Sequence, residues 1–417
     1  MLPGRGLRMG AITLVVLGSG TVAGGLYAQS QTGNWEGHAA VENTGGGHLR
    51  PHAWVRGRFT GPEAERPQVQ QAPGGFHPAD MVNAYGLGSY TGGGSGSTIA
   101  IVDAYDSPSA EADLGTFSST FGLPSCTTAN GCFSKVSETG TSTLPARNSG
   151  WEVEINLDVQ WAHAIAPDAK VLLVEAKSSS DNDLLAAVDY ARRNASVVTM
   201  SWGGSEWSSE TSYDTYFTDV TGDNVVFVSS SGDTGGIVEW PAVSKYVIAV
   251  GGTNLGVNST TGGLATPVTE TAWNGSGGGC SVYETSLVAQ PLPLVPQRRG
   301  NPVACTKRGV PDVAMSGGPN SAVSVYISKQ GGWYEVYGTS LASPMFAGVV
   351  ALADSSRSTK LTNTEAFTLL YATAAKSDYR DITSGTAGSF SAATGWDYVT
   401  GFGSPLGNVF IPYLASH

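Results

Sequence analysis

From Phe76 onward, short apolar segments alternate along the chain with segments of helical periodicity. Short runs rich in Val, Ile and Ala are typical of buried strands. The predicted strands are Thr98–Asp103, Lys170–Glu175, Ser196–Ser201, Asn224–Ser231 and Tyr246–Gly251. Between two of them, Asp181–Asn194 carries an apolar stripe at helical spacing, formed by Leu184, Leu185, Val188 and Ala191. This alternation predicts one α/β domain over residues 76–417, with a mostly parallel central sheet and helices on both faces.

The N-terminal region differs from residues 76–417 in composition and in periodicity. Residues 29–75 are polar, rich in Gly, Pro, Gln and His, and show neither helical nor strand periodicity. We interpret them as a leader or short pro-segment and expect disorder. Before them, Arg5 and Arg8 precede the uncharged stretch Met9–Gly25 and a small-residue cleavage site at Leu26–Ala28. Residues 1–28 therefore predict a signal peptide and a secreted, extracellular protein.

A membrane anchor is the alternative interpretation of the first 28 residues. Gly, Ser and Thr interrupt their apolar stretch, which weakens it as a membrane span. No later segment is long and apolar enough to cross a bilayer. We therefore expect no membrane association after the signal is removed.

The net charge of the chain restricts the kinds of partner that it is expected to bind. The 417 residues include 22 Lys and Arg against 34 Asp and Glu, a net charge of −12 at pH 7. Nucleic-acid binding depends on clustered basic residues, so we expect no nucleic-acid partner. Only 13% of the residues are charged, and a chain with few carboxylates to protonate loses little stability to acid by that route.

Four cysteines lie at positions 126, 132, 280 and 305. In a secreted chain they are expected to form disulfides, and four cysteines allow three pairings. Proximity in sequence favours Cys126–Cys132 and Cys280–Cys305. The spacing of the first two matches no common zinc site.

A candidate nucleophile follows the predicted strand Trp333–Tyr337. Gly338-Thr339-Ser340 leads from this strand into the apolar helix Leu341–Asp354. A serine at a helix N-terminus lies where free N–H groups favour developing negative charge. The alternative is that Ser340 only caps the helix. The string Gly-Thr-Ser-Leu-Ala-Ser-Pro-Met-Phe-Ala-Gly resembles the nucleophile segment of subtilisin-fold serine peptidases.

A subtilisin would also need a catalytic histidine. Five of the six histidines lie in the predicted leader or at the ends of the predicted domain: His38, His48, His52, His77 and His417. His163 is left, near the end of a predicted helix, where we expect a packed or capping role. A triad of Asp103, His163 and Ser340 remains a rival hypothesis.

Two carboxyl groups are candidates for the general base in place of a histidine. The predicted helix from about Trp151 to Ala166 places Glu154 and Asp158 four residues apart, hence on one face. The surrounding residues are apolar nearly all round, which predicts that the pair is buried, shares a proton and has at least one raised pKa. A solvated acidic face is the alternative. Ser149 and Glu152 have the spacing of a capping box, so Glu152 is expected to be structural.

These motifs together resemble the sedolisin family, the serine-carboxyl peptidases with a subtilisin-like fold. The resemblance covers about residues 76–417. It implies that Ser340 is the nucleophile, that Glu154 is the general base and acid, and that Asp158 orients Glu154 and shares its proton. Most family members carry a long folded prodomain, whereas only about 47 residues lie here between the predicted signal peptide and the predicted domain.

The family resemblance assigns an oxyanion residue. Asp233 follows the strand Asn224–Ser231 in a Gly-rich turn, where subtilisins carry an Asn. A carboxyl group donates a hydrogen bond only when protonated, and the family implies a neutral Asp233 acting with the N–H of Ser340. A turn aspartate without catalytic role is the alternative. Asp103 is not catalytic in this family.

Two further sites rest on the same resemblance. Ser201, Trp202, Gly203 and Gly204 resemble the segment whose backbone pairs with an extended substrate, the alternative being an ordinary turn. For one structural Ca²⁺, the resemblance implies the side chains or carbonyls of Asp381, Ile382, Ala393, Gly395 and Asp397. Hard oxygen ligands suit Ca²⁺. Position 393 is Ala where the family usually has Gly, and two plain turn aspartates are the alternative.

The sequence therefore predicts a secreted, monomeric endopeptidase that acts on proteins or peptides at acid pH. A secreted, inactive relative that serves as a binding or surface protein is the alternative from another functional class. The presence of the complete set of catalytic residues speaks against it.

Overall fold

The computed structural model of this protein describes residues 35–39, 48–58, 73–90, 93–220, 222, 224–297, 300–372 and 377–417. The predicted signal peptide lies outside these ranges. The α-helices in the described residues are α1 Pro78–Ala84, α2 Ala110–Phe121, α3 Trp151–Ile165, α4 Asp181–Ala191, α5 Thr339–Asp354, α6 Asn363–Ala372 and α7 Gly407–Ser416. The short 3-10 helices are Gly88–Tyr90, Glu210–Phe217, Pro319–Ser321 and Ser328–Gln330.

The strands in the same ranges are β1 Trp35–Ala39, β2 Arg50–Pro51, β3 Trp54–Arg58, β4 Thr98–Ala104, β5 Phe133–Ser137, β6 Lys170–Ala176, β7 Val197–Met200, β8 Trp202–Ser205, β9 Val226–Ser230, β10 Glu239–Trp240, β11 Ile248–Leu255, β12 Glu270–Ala272, β13 Gly279–Cys280, β14 Leu294–Gln297, β15 Gly300–Ala304, β16 Gly309–Val310, β17 Val313–Ser316, β18 Val323–Ile327, β19 Gly332–Tyr337, β20 Tyr379–Arg380, β21 Thr386–Ala387, β22 Phe390–Ser391 and β23 Ser404–Pro405.

Eight strands form the central sheet, in the order β12-β11-β9-β7-β4-β6-β5, with β17 also paired to β11. Every pair is parallel except β11 with β12. In the central strand β4 every residue after Thr98 is buried, so both faces of the sheet are covered. The predicted mostly parallel α/β architecture is confirmed.

Helices α3 and α5 pack directly against each other beneath the sheet. Gly348 of α5 makes this close approach possible, because a Cβ at that position would lie 2.7 Å from the Ile165 side chain. Helix α5 also contacts β7, β9, β11 and β17. The helix with the predicted acid pair and the helix with the predicted nucleophile are thus neighbours.

Every predicted strand is present, with ends that differ by at most four residues. The predicted capping box at the start of α3 is wrong. The side chain of Asn148 accepts the N–H groups of Gly150 and Trp151 instead, at 2.9 and 3.1 Å. Glu152 forms a two-point ion pair with Arg147, at 2.5 and 2.7 Å, so its structural role has another physical basis.

The prediction of a disordered leader over residues 29–75 is wrong for residues 48–58. Strand β2 pairs with β8, and β3 pairs with β19. Between them, His52 and Ala53 are each only 1% exposed. A strand added to an existing sheet edge takes its hydrogen bonds from the partner, so it can form without hydrophobic alternation of its own.

Both predicted disulfides, Cys126–Cys132 and Cys280–Cys305, are present. None of the helices in the described ranges has the length and apolar character needed to cross a bilayer.

A buried ion pair links strand β11 to the loop before strand β17, at one end of the central sheet. Arg308 is 1% exposed and Asp312 fully buried, and their side chains meet at 2.7 and 2.5 Å. Arg308 also donates to the carbonyl of Val247, and Asp312 accepts the N–H of Ala249. The pair thereby ties the loop before β17 to β11.

Replacing one partner of this pair is expected to destabilise the protein strongly. Arg308→Met leaves Asp312 buried without its counter-charge, so the free energy of unfolding should fall by about 3–5 kcal/mol. Urea denaturation measures this. Arg193→Met is the control, because the side chain of Arg193 is 48% exposed in its pair with Asp189, and it should change stability by about 1 kcal/mol or less. Equal effects of the two changes would contradict the account.

Candidate active site

Ser340 is the second residue of α5, and α5 begins directly after β19 and one glycine. Gly338 has a φ of 137°, and a Cβ there would lie 1.9 Å from the His52 carbonyl oxygen. Only glycine fits this position. Ser340 Oγ donates to the carbonyl of Ser201 at 3.2 Å, and Ser340 N–H donates to the carbonyl of His52 at 3.3 Å. The residue that precedes the helix is Gly338, without a side-chain cap, so Ser340 is not an N-cap.

Glu154 and Asp158 lie one turn apart on α3, and both are fully buried. None of their four carboxyl oxygens has a hydrogen-bond partner within the described residues. The prediction of burial is confirmed, and the alternative of a solvated acidic face is wrong. Because α3 packs on α5, the carboxyl group of Glu154 lies close to the hydroxyl of Ser340. That hydroxyl acts to lower the pKa of Glu154.

A third carboxyl group belongs to this cluster. Asp103, at the end of β4, is fully buried, and neither of its carboxyl oxygens has a hydrogen-bond partner in the described ranges. Burial raises the pKa of Asp103 to about 8. The family resemblance gives Asp103 no catalytic role, whereas the structure places its charge beside both Glu154 and Asp158.

Burial raises the pKa of Glu154 well above its ordinary value, and the charges of Asp158 and Asp103 raise it further, against an opposing effect of Ser340. Burial also raises the pKa of Asp158, again with Asp103 contributing. Three neighbouring carboxyl groups cannot all ionise in such a site. The cluster therefore holds protons at pH values where exposed carboxyl groups have lost them.

Asp233 lies in the turn after β9, half-buried and close to the start of α5. Its Oδ1 accepts both the N–H and the hydroxyl of Thr339, at 2.8 and 2.7 Å. Its Oδ2 has no partner among the described residues and lies near Gly338, 2.8 Å from the place of a Cβ. Burial raises the pKa of Asp233 to about 6, although His52 and Thr339 act against it. With Oδ1 engaged as an acceptor, Oδ2 is the oxygen suited to carry a proton.

The predicted substrate-binding residues lie beside the chain's own N-terminal segment. Gly203 pairs with Arg50, and Trp202 pairs with Pro51, as antiparallel neighbours. A Cβ at Gly203 would lie 2.8 Å from the His52 ring, so only a glycine leaves room for that ring. At Gly204 a Cβ would lie 3.0 Å from Leu49. The indole of Trp202 itself points into the core and donates to the carbonyl of Val102.

The His52 ring fills a pocket that the sequence analysis did not predict. Its Nδ1 lies 2.7 Å from Ser230 Oγ, and its Nε2 lies 2.9 Å from Glu239 Oε2. Glu239 Oε1 also accepts from Arg50 at 2.8 Å. Burial by itself would raise the pKa of Glu239, but the positive charges and hydrogen bonds of His52 and Arg50 lower it to about 2. No local motif marks this pocket, because its parts lie far apart in sequence.

His163 lies elsewhere. It is nine residues beyond Glu154 on α3, about 13 Å along the helix axis. Its Nε2 meets the carbonyl of Pro124 at 2.9 Å, and burial lowers its pKa. His163 also lies near Cys126 and Cys132, but those sulfur atoms are bonded to each other and so are not free to bind a metal. This packing agrees with a structural histidine.

Two loops near the C-terminus hold the predicted calcium ligands. Asp381 Oδ2 accepts the N–H of Gly395 at 3.0 Å, and Asp397 Oδ2 accepts the N–H of Ala393 at 2.8 Å. Both carboxyl groups thus contact the same short stretch of backbone. The side chain of Ile382 is buried. Asp397 is buried, which raises its pKa against several backbone N–H donors.

Comparison with protein families matches residues 144–403 to Peptidase_S8, the subtilase family. This match and the fold define a subtilisin-like peptidase. Kumamolisin of Bacillus sp. (strain MN-32) is 31% identical over 392 residues, which cover 86% of this chain and 67% of kumamolisin. The chain belongs to the sedolisin family of serine-carboxyl peptidases.

Other relatives agree with this assignment. Sedolisin of Pseudomonas sp. (strain 101) is 29% identical over 328 residues, 70% of this chain and 53% of sedolisin. Xanthomonalisin of Xanthomonas sp. (strain T-22) is 26% identical, over 81% of this chain and 46% of its own length. The chain thus spans about half the length of these two relatives. A structure of Pseudomonas sedolisin, a serine-carboxyl proteinase complexed with two molecules of pseudo-iodotyrostatin, superposes with a TM-score of 0.67 at 27% identity, covering 83% of this chain and 100% of that one.

The carboxyl cluster predicts how stability depends on pH. The native pKa values of Glu154, Asp158 and Asp103 are raised, so between about pH 4 and 8 the native state binds protons that the unfolded state has lost. Stability must then fall as the pH rises, by about 1.4 kcal/mol per pH unit for each such proton. The test uses urea unfolding of the Ser340→Ala protein at several pH values. When Glu154→Gln and Asp158→Asn are both added, stability should fall less as the pH rises than it does in the parent. Asp168→Asn, an exposed carboxyl beyond the same helix, should keep the parental slope; equal slopes in all three proteins would refute the buried cluster.

Proposed function

We propose that this protein is an acid-acting serine-carboxyl endopeptidase that cleaves protein or peptide substrates through an acyl-enzyme on Ser340. The observation that carries the proposal is the peptide carbonyl of His52, which lies against the N–H of Ser340 while Glu154 and Asp158 lie buried beside the same serine. A nucleophile, a proton acceptor and a bound peptide bond thus meet at one place.

Ser340 Oγ would attack the carbonyl carbon and pass its proton to Glu154. Asp158 lies within one helical turn and would share that proton and orient Glu154. When the C–N bond breaks, Glu154 would return the proton to the leaving amine. A water molecule would then hydrolyse the acyl-enzyme with the same group as base. Ser340 Oγ would have to exchange its present hydrogen bond to Ser201 for one to Glu154.

The negative oxygen formed in each step needs donors. Ser340 N–H is one, and a protonated Oδ2 of Asp233 would be the second. The two donors of Thr339 on Oδ1 support this assignment, since they leave Oδ2 free for the proton. Strand β8, with Ser201 before it and Gly203 and Gly204 in it, would bind the substrate backbone as it binds β2.

Secretion, a monomeric state and calcium binding complete the proposal. The N-terminal charge and apolar pattern and the two disulfides support an oxidising, extracellular location. The donor set near the C-terminus fits Ca²⁺, because two carboxyl groups meet at one short stretch of backbone, where Asp397 contacts Ala393 and Asp381 contacts Gly395, and Ca²⁺ prefers such hard oxygen ligands. Asp381, Asp397 and the carbonyls of Ile382, Ala393 and Gly395 would hold the ion, which would stabilise these loops.

Activity is expected to be acidic and to depend on one proton of Asp233. Hydrolysis of denatured casein, measured from pH 3 to 8, should be highest in acid and fall as the pH rises through about 6, the pKa of Asp233. Ser340→Ala should abolish it. Asp233→Asn keeps a donor that does not ionise, so its activity should extend to higher pH, whereas Asp233→Ala should lose roughly 10²–10³-fold.

Two results would speak against this function. A maximum at neutral pH that disappears with His163→Ala would favour a histidine-dependent peptidase. No hydrolysis at any pH would favour an inactive binding protein.

Removal of calcium is expected to lower thermal stability. A chelator should reduce the melting temperature of the Ser340→Ala protein by a few degrees, because an ion that binds only the native state stabilises it. In Asp381→Asn the chelator should have little further effect. Identical melting curves with chelator and with added Ca²⁺ would rule out the site.

A further inference from the structure

Residues 49–56 cross the candidate active site as an extended chain on both sides of one peptide bond. Before this bond, β2 pairs with β8, and His52 N–H donates to the carbonyl of Ser201 at 3.1 Å. After it, β3 pairs with β19, the strand that leads to Ser340. The carbonyl that meets Ser340 N–H is that of His52, so the bond presented to the nucleophile is His52–Ala53.

The side chain of His52, just before this bond, is held by a negatively charged partner. The His52 ring contacts Ser230 Oγ and Glu239 Oε2, and it is 1% exposed. While His52 and Arg50 lie beside it, the pKa of Glu239 is about 2, so with this segment bound Glu239 keeps its negative charge in the acid range. An apolar residue in place of His52 would leave Glu239 Oε2 buried without its partner, with Arg50 on Oε1 alone to offset the charge, and an acidic residue would repel it. The pocket therefore favours histidine or another cation of similar size.

The side chain two positions after this bond rests on aromatic rings. Trp54 stacks on Tyr337, with ring centroids 6.4 Å apart and planes 15° apart. Tyr337 in turn meets Trp273 edge-on at 5.9 Å. Trp54 is half-buried in this contact. A flat aromatic residue gains this stacking, whereas a small residue loses it.

We infer that the cleft selects extended peptides with a cationic residue before the scissile bond and an aromatic residue two positions after it. The chain's own segment, cut between His52 and Ala53, is the first such substrate. Until it is cut, the segment covers Ser340 and prevents other substrates from binding. The inference rests on the proposed function and adds the bond, the two selected side chains and the residues that select them.

The cleavage follows the proposed chemistry. Ser340 Oγ bonds to the carbonyl carbon of His52, the bond to Ala53 nitrogen breaks, and the serine proton passes through Glu154 to that nitrogen. Water then releases His52 as a new C-terminus. Ala53 becomes a new N-terminus.

The first experiment uses the full chain. After incubation at pH 4, mass spectrometry and N-terminal sequencing should find a chain that begins at Ala53 in the wild type and none in Ser340→Ala. His52→Leu should slow this cut at least tenfold. His48→Leu is the matched control, since His48 directly precedes this segment and contacts Ser179 outside the pocket, and the variant should be cut at the wild-type rate.

The second experiment varies the substrate, so it does not depend on whether a variant enzyme folds. A synthetic peptide with the sequence of Leu49–Arg58 should be cut between His and Ala. Versions with Leu at the His position or Ala at the Trp position should each show kcat/KM at least tenfold lower. Glu239→Gln should bring the ratio of the His and Leu peptides close to one, while the charge-matched Asp168→Asn enzyme keeps the wild-type ratio.

Casein hydrolysis at pH 4 distinguishes a failure of this inference from a failure of the proposed function. If casein is digested but the chain is cut at another bond, or the three peptides are cut at equal rates, the inference is overturned and the proposed function stands. If neither casein nor any peptide is cut, the proposed function fails and the inference fails with it.

Discussion

The arrangement of this site depends on the burial of three carboxyl groups without a basic partner. Within the described residues Glu154, Asp158 and Asp103 form no hydrogen bond to a donor, and mutual repulsion in a poorly hydrated site opposes their ionisation. The native state must therefore bind protons. The sheet supplies one carboxyl group, α3 supplies two, and the packing of α3 on α5 brings them to Ser340. In the proposed mechanism these buried carboxyl groups handle the proton of the serine hydroxyl at acid pH, where a histidine is not needed.

Backbone complementarity is the second organising feature. Strand β8 begins and strand β19 ends beside the nucleophile, and each presents an edge along which an extended peptide pairs. Gly203 and Gly338 have no side chain at the points where the peptide passes closest. The chain uses these edges itself, through the segment around His52. One geometry thus accounts both for recognition of a substrate and for a resting state in which the nucleophile is covered.

The parts of this structure that depend on local periodicity could be predicted from the sequence. Alternating apolar and helical segments predicted the parallel sheet, and four-residue spacing predicted that Glu154 and Asp158 share a buried face. Helix ends were less predictable, because the cap at Asn148 depends on one side-chain hydrogen bond. The pocket of His52 could not be predicted, since its partner Glu239 lies 187 residues away and the two meet only after long-range strand pairing. A polar leader without periodicity gave no sign that it would form strands, because its partners provide the pairing.

The measurement that tests the buried-proton account most directly is the titration of the Glu154 carboxyl group by carbon NMR. The Ser340→Ala protein would be labelled at glutamate side chains, and a Glu154→Gln counterpart would assign the signal. The account predicts a midpoint well above the value of about 4.3 found for an ordinary glutamate, with a decrease when Asp158 is replaced by Asn. A midpoint near the ordinary value, unchanged by that replacement, would contradict it.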